Sequence, residues 1–285
     1  MQVVLSKHAG FCPGVCKADE TVKRLISLSK SELCRIYTLG HLIHNDIYNN
    51  DLLSQGVGCI SLFDVESTFL SSLDIPMTVV IRTHGITKSD LHCLTELCEK
   101  YPTLSFIDCT CPYVKKIHRI AEENTNENTH FVLFCSPSHP EALGILSYVN
   151  GEKTAISSFD EVERIDFKGK TPILCSQTTQ NLVEFKKIKK FLKKLYTNAK
   201  IFDTICSVTE NRQKEAIEIA RSADTMIVIG GRDSSNTKRL YELCSAECSD
   251  TRWIESLVDL NTDFRNSAKC VGITAGSSTP RGIIT

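Results

Sequence analysis

Short apolar runs rich in Val, Ile and Leu alternate along this 285-residue chain with longer stretches whose apolar positions recur every three to four residues. The short runs predict buried strands and the longer stretches amphipathic helices. The alternation repeats three times. The first copy opens with V-V-L-S-K-H-A-G-F-C, ending at Cys12, and continues into a helix with Val22, Leu25 and Ile26 on one face. The second opens with L-S-F-I-D-C-T-C, ending at Cys111, followed by Pro112, Val114, Ile117 and Ala121. The third opens with A-K-I-F-D-T-I-C, ending at Cys206, then N-R-Q-K-E-A-I-E-I-A.

The copies stay in register beyond the cysteine. A second strand (I-Y-T-L, F-V-L-F, M-I-V-I) runs into a polar loop carrying His44, His139 with Glu141, or Ser234, Ser235 and Asn236. A third strand (T-V-V-I, P-I-L-C, C-V-G-I) runs into a loop carrying His84, Thr178 or Ser278. The distance from cysteine to second loop is 32, 28 and 28 residues, and from second to third loop 40, 39 and 44. Asp108 and Asp203 each stand three residues before a cysteine, which selects Cys111 over Cys109.

Such strands alternating with helices predict an α/β fold of parallel β-α units, with functional loops at the carboxyl ends of the strands. The predicted architecture is three pseudo-equivalent lobes around a central site: residues 1–110 with Cys12, 111–200 with Cys111, and 201–285 with Cys206. A helix follows the third loop in the first two copies. The chain stops seven residues after Ser278, so the corresponding C-terminal helix is expected to be absent.

Composition removes several classes of function. With 33 basic and 34 acidic residues and a net charge of −1, no global field favours nucleic acid or a membrane surface. There is no basic segment before an apolar N-terminal run and no apolar stretch of membrane-spanning length, so the expected compartment is the cytoplasm. Fourteen cysteines without a secretory signal, and without any C-x-x-C, fit neither a disulfide framework nor a zinc ribbon. Most should be small buried hydrophobes.

Cys12, Cys111 and Cys206 differ because one from each lobe points to a shared centre. Three thiolates fall short of a structural zinc, but they can hold one 4Fe–4S cluster per chain with one iron left for a substrate oxygen. Each stands where a helix begins, which favours the thiolate. The imidazoles, hydroxyls and amide of the loops donate hydrogen bonds and suit a phosphorylated ligand. Glu141 is a lone carboxylate among donors and a candidate proton source; His139 and Glu141 also fit the cap of a helix beginning near Ala142.

G-F-C-P-G-V, H-N, T-H-G, T-C-P, H-P-E, Q-T-T, N-R-Q, S-S-N and T-A-G-x-S occur in the order of the IspH (LytB) reductases, which this chain resembles over essentially its whole length. The resemblance implies reductive removal of the C4 hydroxyl of (E)-4-hydroxy-3-methylbut-2-enyl diphosphate. The products are isopentenyl and dimethylallyl diphosphate, at the last step of the non-mevalonate isoprenoid pathway. It implies Cys12, Cys111 and Cys206 as cluster ligands, and His44, His84, His139, Ser234, Ser235, Asn236 and Ser278 as the diphosphate pocket. Glu141 resembles the proton donor, Thr178 the residue that orients the substrate hydroxyl. An external ferredoxin or flavodoxin would supply electrons, since no flavin or nicotinamide motif is evident. Cys16 and Cys109 lie beside expected ligands and could compete for iron. Two other readings stay open: another three-cysteine cluster enzyme such as quinolinate synthase, or a phosphate-ligand binding protein with inert cysteines.

Overall fold

A computed structural model describes residues 1–30, 33–263 and 268–284. Strand β1 (Gln2–Leu5) leads to Cys12 and helix α1 (Pro13–Ser29). There follow β2 (Arg35–Leu39), α2 (Asp46–Ser54), β3 (Val57–Ile60), α3 (Leu62–Leu70), β4 (Met77–Ile81), α4 (Lys88–Lys100) and β5 (Leu104–Asp108). After Cys111 come α5 (Pro112–Asn124), β6 (Thr129–Phe134), α6 (Pro140–Ser147), β7 (Glu152–Ile156), α7 (Phe159–Val162), β8 (Thr171–Ser176), α8 (Leu182–Leu195) and β9 (Lys200–Ile201). After Cys206 come α9 (Ser207–Ser222), β10 (Thr225–Ile229), α10 (Ser235–Ser245), β11 (Thr251–Ile254), β12 (Cys270–Ala275) and α11 (Arg281–Ile284).

The strands form three four-stranded sheets, ordered β3-β2-β4-β5, β7-β6-β8-β9 and β11-β10-β12-β1. All pairings are parallel. The expected three equivalent α/β lobes are therefore present. In each, the central strands carry the longest apolar runs: every residue of β4, β6 and β10 is buried, as a strand covered on both faces requires.

Two expectations need correction. The N-terminal strand, grouped on sequence with residues 1–110, is hydrogen-bonded to β12 in the third sheet, with Val3 opposite Val271. The reason is topological. Each strand that runs into a cysteine pairs with the third strand of the preceding lobe, as β5 does with β4 and β9 with β8. β1 follows the same rule on the third lobe, pairing with its third strand β12 and closing the ring. The second correction lies after Ser278, where Arg281–Ile284 form a single helical turn.

The helix after each cysteine packs on the next sheet. Val15, Ala18, Val22 and Ile26 of α1 share a core with Ile36 and Val80. Ile117, Ile120 and Ala121 of α5 pack with Phe131 and Ile173. Ala216, Ile219 and Ala220 of α9 pack with Met226 and Val228. Each cysteine thus stands on a crossing from one lobe to the next, which is why all three reach the centre. The edge strands β3, β7 and β11 escaped the sequence reading because their mixed polar and apolar residues carry a weak signal, as in G-E-K-T-A-I. Among the described residues no helix is long and apolar enough to cross a membrane.

Candidate functional site

Cys12, Cys111 and Cys206 are the N-cap residues of α1, α5 and α9, and none of the three side chains caps its own helix. Pro13 and Pro112 occupy first helical turns, where a missing N–H costs nothing. Each cysteine is tied by its backbone to a third-strand loop. The Cys111 N–H donates to the Thr83 carbonyl at 3.0 Å, that of Cys206 to Thr178 at 3.0 Å, and that of Cys12 to Ser277 at 3.3 Å. The threefold repeat read from spacing reappears here as one hydrogen bond made three times.

The three cysteines line a single cavity of about 80 Å³, together with Gly14, His84, Glu141, Thr178 and Arg212. A Cβ on Gly14 would stand 3.0 Å from the Cys111 sulfur and 3.8 Å from that of Cys12. A helix start alone does not make a thiolate of Cys111 or Cys206. The N–H groups of Tyr113 and Val114 draw the Cys111 thiol down, but burial outweighs them and pushes it up to about 11. Cys206 is raised for the same reason. Of the neighbouring thiols, Cys16 lines an outer cleft that Cys12 also borders, and Cys109 packs against the α1 core; neither lines the central cavity.

Glu141 lies in the first turn of α6 and is 2% exposed. Its Oε1 accepts from the Thr178 N–H at 2.7 Å, and its Oε2 is 2.9 Å from the Thr178 hydroxyl. Burial pushes its carboxyl up to about 7, against these hydrogen bonds. The capping function in H-P-E belongs to His139, whose Nδ1 accepts from the Glu141 N–H at 3.1 Å. Glu141 itself turns inward, and the helix begins at Pro140, earlier than Ala142.

The three histidines converge beside this pair. Ring centroids of His44 and His84 are 4.5 Å apart, and each is 5.1 Å from that of His139. Burial lowers all three, His139 to about 3, so the free protein holds them neutral. Because His139 accepts through Nδ1, its proton sits on Nε2. The Ser278 hydroxyl joins the group, donating to the His44 carbonyl at 3.3 Å and lying 3.2 Å from the Ser234 hydroxyl. Asn236 Oδ1 accepts from the Ser277 N–H at 2.9 Å. Ser235 stands at the rim, 3.4 Å from Gln177 Nε2. His44 Nε2, His84 Nδ1 and Asn236 Nδ2 are buried without a partner in the protein, which in a native fold calls for an explanation. The histidine nitrogens lie within 4.8 Å of one another, close enough for a cation. The flanking amide and hydroxyl donors suit an anion better.

The sequence-expected residues therefore meet in two adjoining groups: three cysteines with Glu141 and Thr178, and three histidines with Ser234, Asn236 and Ser278. Sequence reasoning missed Thr83, Ser277 and Arg212. Thr83 and Ser277 sat inside T-H-G and T-A-G-x-S, and Arg212 inside N-R-Q, but a helical arginine reads as a solvated face.

The family model described as "LytB protein" matches residues 3–285. The 4-hydroxy-3-methylbut-2-enyl diphosphate reductase of Alkaliphilus oremlandii is 36% identical over 285 residues, covering 100% of this chain and 96% of that protein. The chain belongs to the LytB family. A second LytB relative, the reductase of the same name from Campylobacter hominis, is 36% identical over 284 residues, with 100% and 96% coverage. Two solved LytB structures share the fold. The E-1-hydroxy-2-methyl-but-2-enyl-4-diphosphate reductase of Plasmodium falciparum matches with a TM-score of 0.86 and 26% identity, covering 99% of this chain and 85% of that one. An (E)-4-hydroxy-3-methyl-but-2-enyl diphosphate reductase described as the terminal enzyme of the non-mevalonate pathway matches with a TM-score of 0.66 and 33% identity, at 100% and 96% coverage. The LytB family is known to use an iron–sulfur cluster.

Proposed function

We propose that this chain is a 4-hydroxy-3-methylbut-2-enyl diphosphate reductase. It converts the allylic alcohol diphosphate, two electrons and two protons into isopentenyl or dimethylallyl diphosphate and water. The observation that carries this reading is the convergence of one cysteine from each lobe on a cavity that also contains Glu141 and Thr178, next to a nest of unpartnered donors. The three cysteines fit a 4Fe–4S cluster: three sulfur ligands from helix starts, and a glycine where a side chain would crowd two sulfurs. When bound, the cluster supplies electrons and a Lewis-acidic iron for the substrate oxygen.

The protein's own residues then divide the remaining work. His44, His84, His139, Ser234, Asn236 and Ser278 bind the diphosphate, with Ser235 at the edge of the pocket. The bound diphosphate places the far end of the short substrate at Glu141 and Thr178. Since Oε1 is committed to the Thr178 N–H, a proton on Glu141 sits on Oε2 and points to the Thr178 hydroxyl. That hydroxyl passes its own proton toward the leaving oxygen, so hydroxide departs as water. Electrons come from an external carrier of the ferredoxin or flavodoxin class. The reaction is placed in the cytoplasm.

The test is anaerobic purification followed by iron and sulfide analysis and turnover with a chemical reductant. The reading expects a brown protein that forms both isomers. A colourless protein that still binds diphosphates would favour a binding module. A cluster-loaded protein that leaves the substrate untouched would return the choice to a different three-cysteine enzyme.

A further inference from the structure

Arg212 is the largest of the fully buried side chains, at 1% exposure. An arginine this deep needs partners for its charge. Its Nη1 donates to the Ala275 carbonyl at 2.5 Å and its Nη2 to the Gly10 carbonyl at 2.8 Å. Both acceptors are neutral, and Nε has no partner in the protein. Glu215, one turn further along α9, is occupied elsewhere: its oxygens accept from the Ser6 hydroxyl at 2.6 Å and from the N–H groups of Lys7 and His8 at 2.8 and 3.1 Å. Among the described residues no ion pair joins Arg212 to a carboxylate. Burial pulls its guanidinium down only to about 10, so it stays charged at neutral pH.

Position explains the arrangement. Arg212 lies on the helix that Cys206 begins, reaches the G-F-C loop two residues before Cys12, and grips the last residue of β12. Among the described residues it is the sole lysine or arginine lining the cavity shared by the three cysteines. A guanidinium that is buried and held by two carbonyls keeps its charge fixed in the wall of the cavity that the sulfurs share. Low surrounding polarity makes that charge felt strongly.

Resting on the three-cysteine cluster reading above, we infer that Arg212 is the built-in counter-charge of this centre, a positioning residue that joins the Cys12 and Cys206 segments and makes the centre easier to reduce. Three thiolates gather negative charge at one point, and an arriving electron adds more. A fixed cation stabilises the reduced state over the oxidised one and so raises the midpoint potential. A purely structural clamp would hold the same two carbonyls but would not bear on the potential.

The experiment loads wild type, Arg212→Gln and Arg212→Lys anaerobically and measures iron, sulfide and the midpoint potential by potentiometry. Loaded Arg212→Gln should be harder to reduce, with at least a tenfold change in the oxidised-to-reduced ratio at a fixed potential, ~59 mV for one electron. Arg212→Lys, which keeps the charge, should stay within that margin of wild type. A Gln variant that matches the wild-type potential overturns the inference. If Gln takes up no cluster, Lys decides: loading with a near-wild-type potential supports the counter-charge, whereas loss of the cluster in Lys as well, or a tenfold shift, rejects it in favour of the clamp. A wild type that binds no iron overturns both this inference and the cluster reading, and so separates the two failures.

Discussion

Glu141 and Thr178 are joined at two points, the Thr178 N–H donating to Oε1 at 2.7 Å and the Thr178 hydroxyl lying 2.9 Å from Oε2. The Thr178 hydroxyl donates to the ionised Oε2; once Glu141 is protonated, Oε1 stays committed to the N–H and the proton lies on Oε2, facing that hydroxyl. Burial holds that proton on until about pH 7. Glu141→Gln keeps the size and an acceptor for the Thr178 N–H but cannot deliver a proton. Turnover should fall ~10²–10⁴-fold in a protein that keeps its full iron content. In the native enzyme the acid form is lost as pH rises through about 7, so kcat/KM should fall on the alkaline side of that value. Near-normal turnover in loaded Glu141→Gln would remove Glu141 from the proton path.

The histidine trio carries a pH dependence of a different origin. His44, His84 and His139 are neutral in the free protein because burial lowers all three. A diphosphate among them favours imidazolium, so binding should take up protons and weaken as pH rises. Calorimetry in buffers of different ionisation heat reads the uptake directly. Zero uptake between about pH 6 and 8 would mean that the rings act only as neutral N–H donors.

Asn236 allows binding to be separated from scaffold. Its Oδ1 holds the Ser277 N–H, while Nδ2 is buried without a partner. Asn236→Asp keeps the first contact and replaces the donor by an anionic acceptor. Cluster content should be unchanged, and diphosphate affinity should drop by about 1–3 kcal/mol, roughly five- to 150-fold. An unaltered dissociation constant would move the diphosphate away from α10.

Much of this site was legible because the chain repeats. Nearly equal spacings picked Cys12, Cys111 and Cys206 from fourteen cysteines, and the same register brought out His44, His139 and Ser234 as counterparts. What stayed hidden depends on contacts between distant segments. Nothing in Q-V-V-L says that it pairs with C-V-G-I some 270 residues away; that follows from closing a ring of three lobes. Likewise the burial of Arg212 arises only when Gly10 and Ala275 meet over α9. Local pattern reports which face of an element is apolar, and it is silent on which remote carbonyl a long polar side chain will reach.

The fourteen thiols should fall into two classes on mutation to serine. Loss of Cys12, Cys111 or Cys206 should abolish most iron and acid-labile sulfide. Cys34, Cys59 and Cys93 lie away from the central cavity, and serine there should leave metal content near wild type. Equal iron loss in all six would reject the three-ligand assignment.

Gly14 gives the sharpest check on where the cluster sits, because it separates metal binding from folding. It occupies the second position of α1, where alanine is the better helix former by ~0.8–1 kcal/mol in a helix interior and by less at an end. By propensity alone, Gly14→Ala should leave the metal-free protein as stable as wild type or slightly more so. The added Cβ, however, would stand 3.0 Å from the Cys111 sulfur and 3.8 Å from the Cys12 sulfur, in the space the two share. A rigid cluster held by both sulfurs has no room to shift away from a methyl group fixed to the helix backbone. The variant should therefore show an unchanged or higher melting temperature without metal, together with a clear loss of iron and of the brown absorbance after anaerobic reconstitution. A melting temperature that falls along with iron content would point to a general packing defect. Full iron loading with wild-type spectra would place the cluster away from the Cys12–Cys111 side of the cavity and overturn the assignment of these two sulfurs as joint ligands.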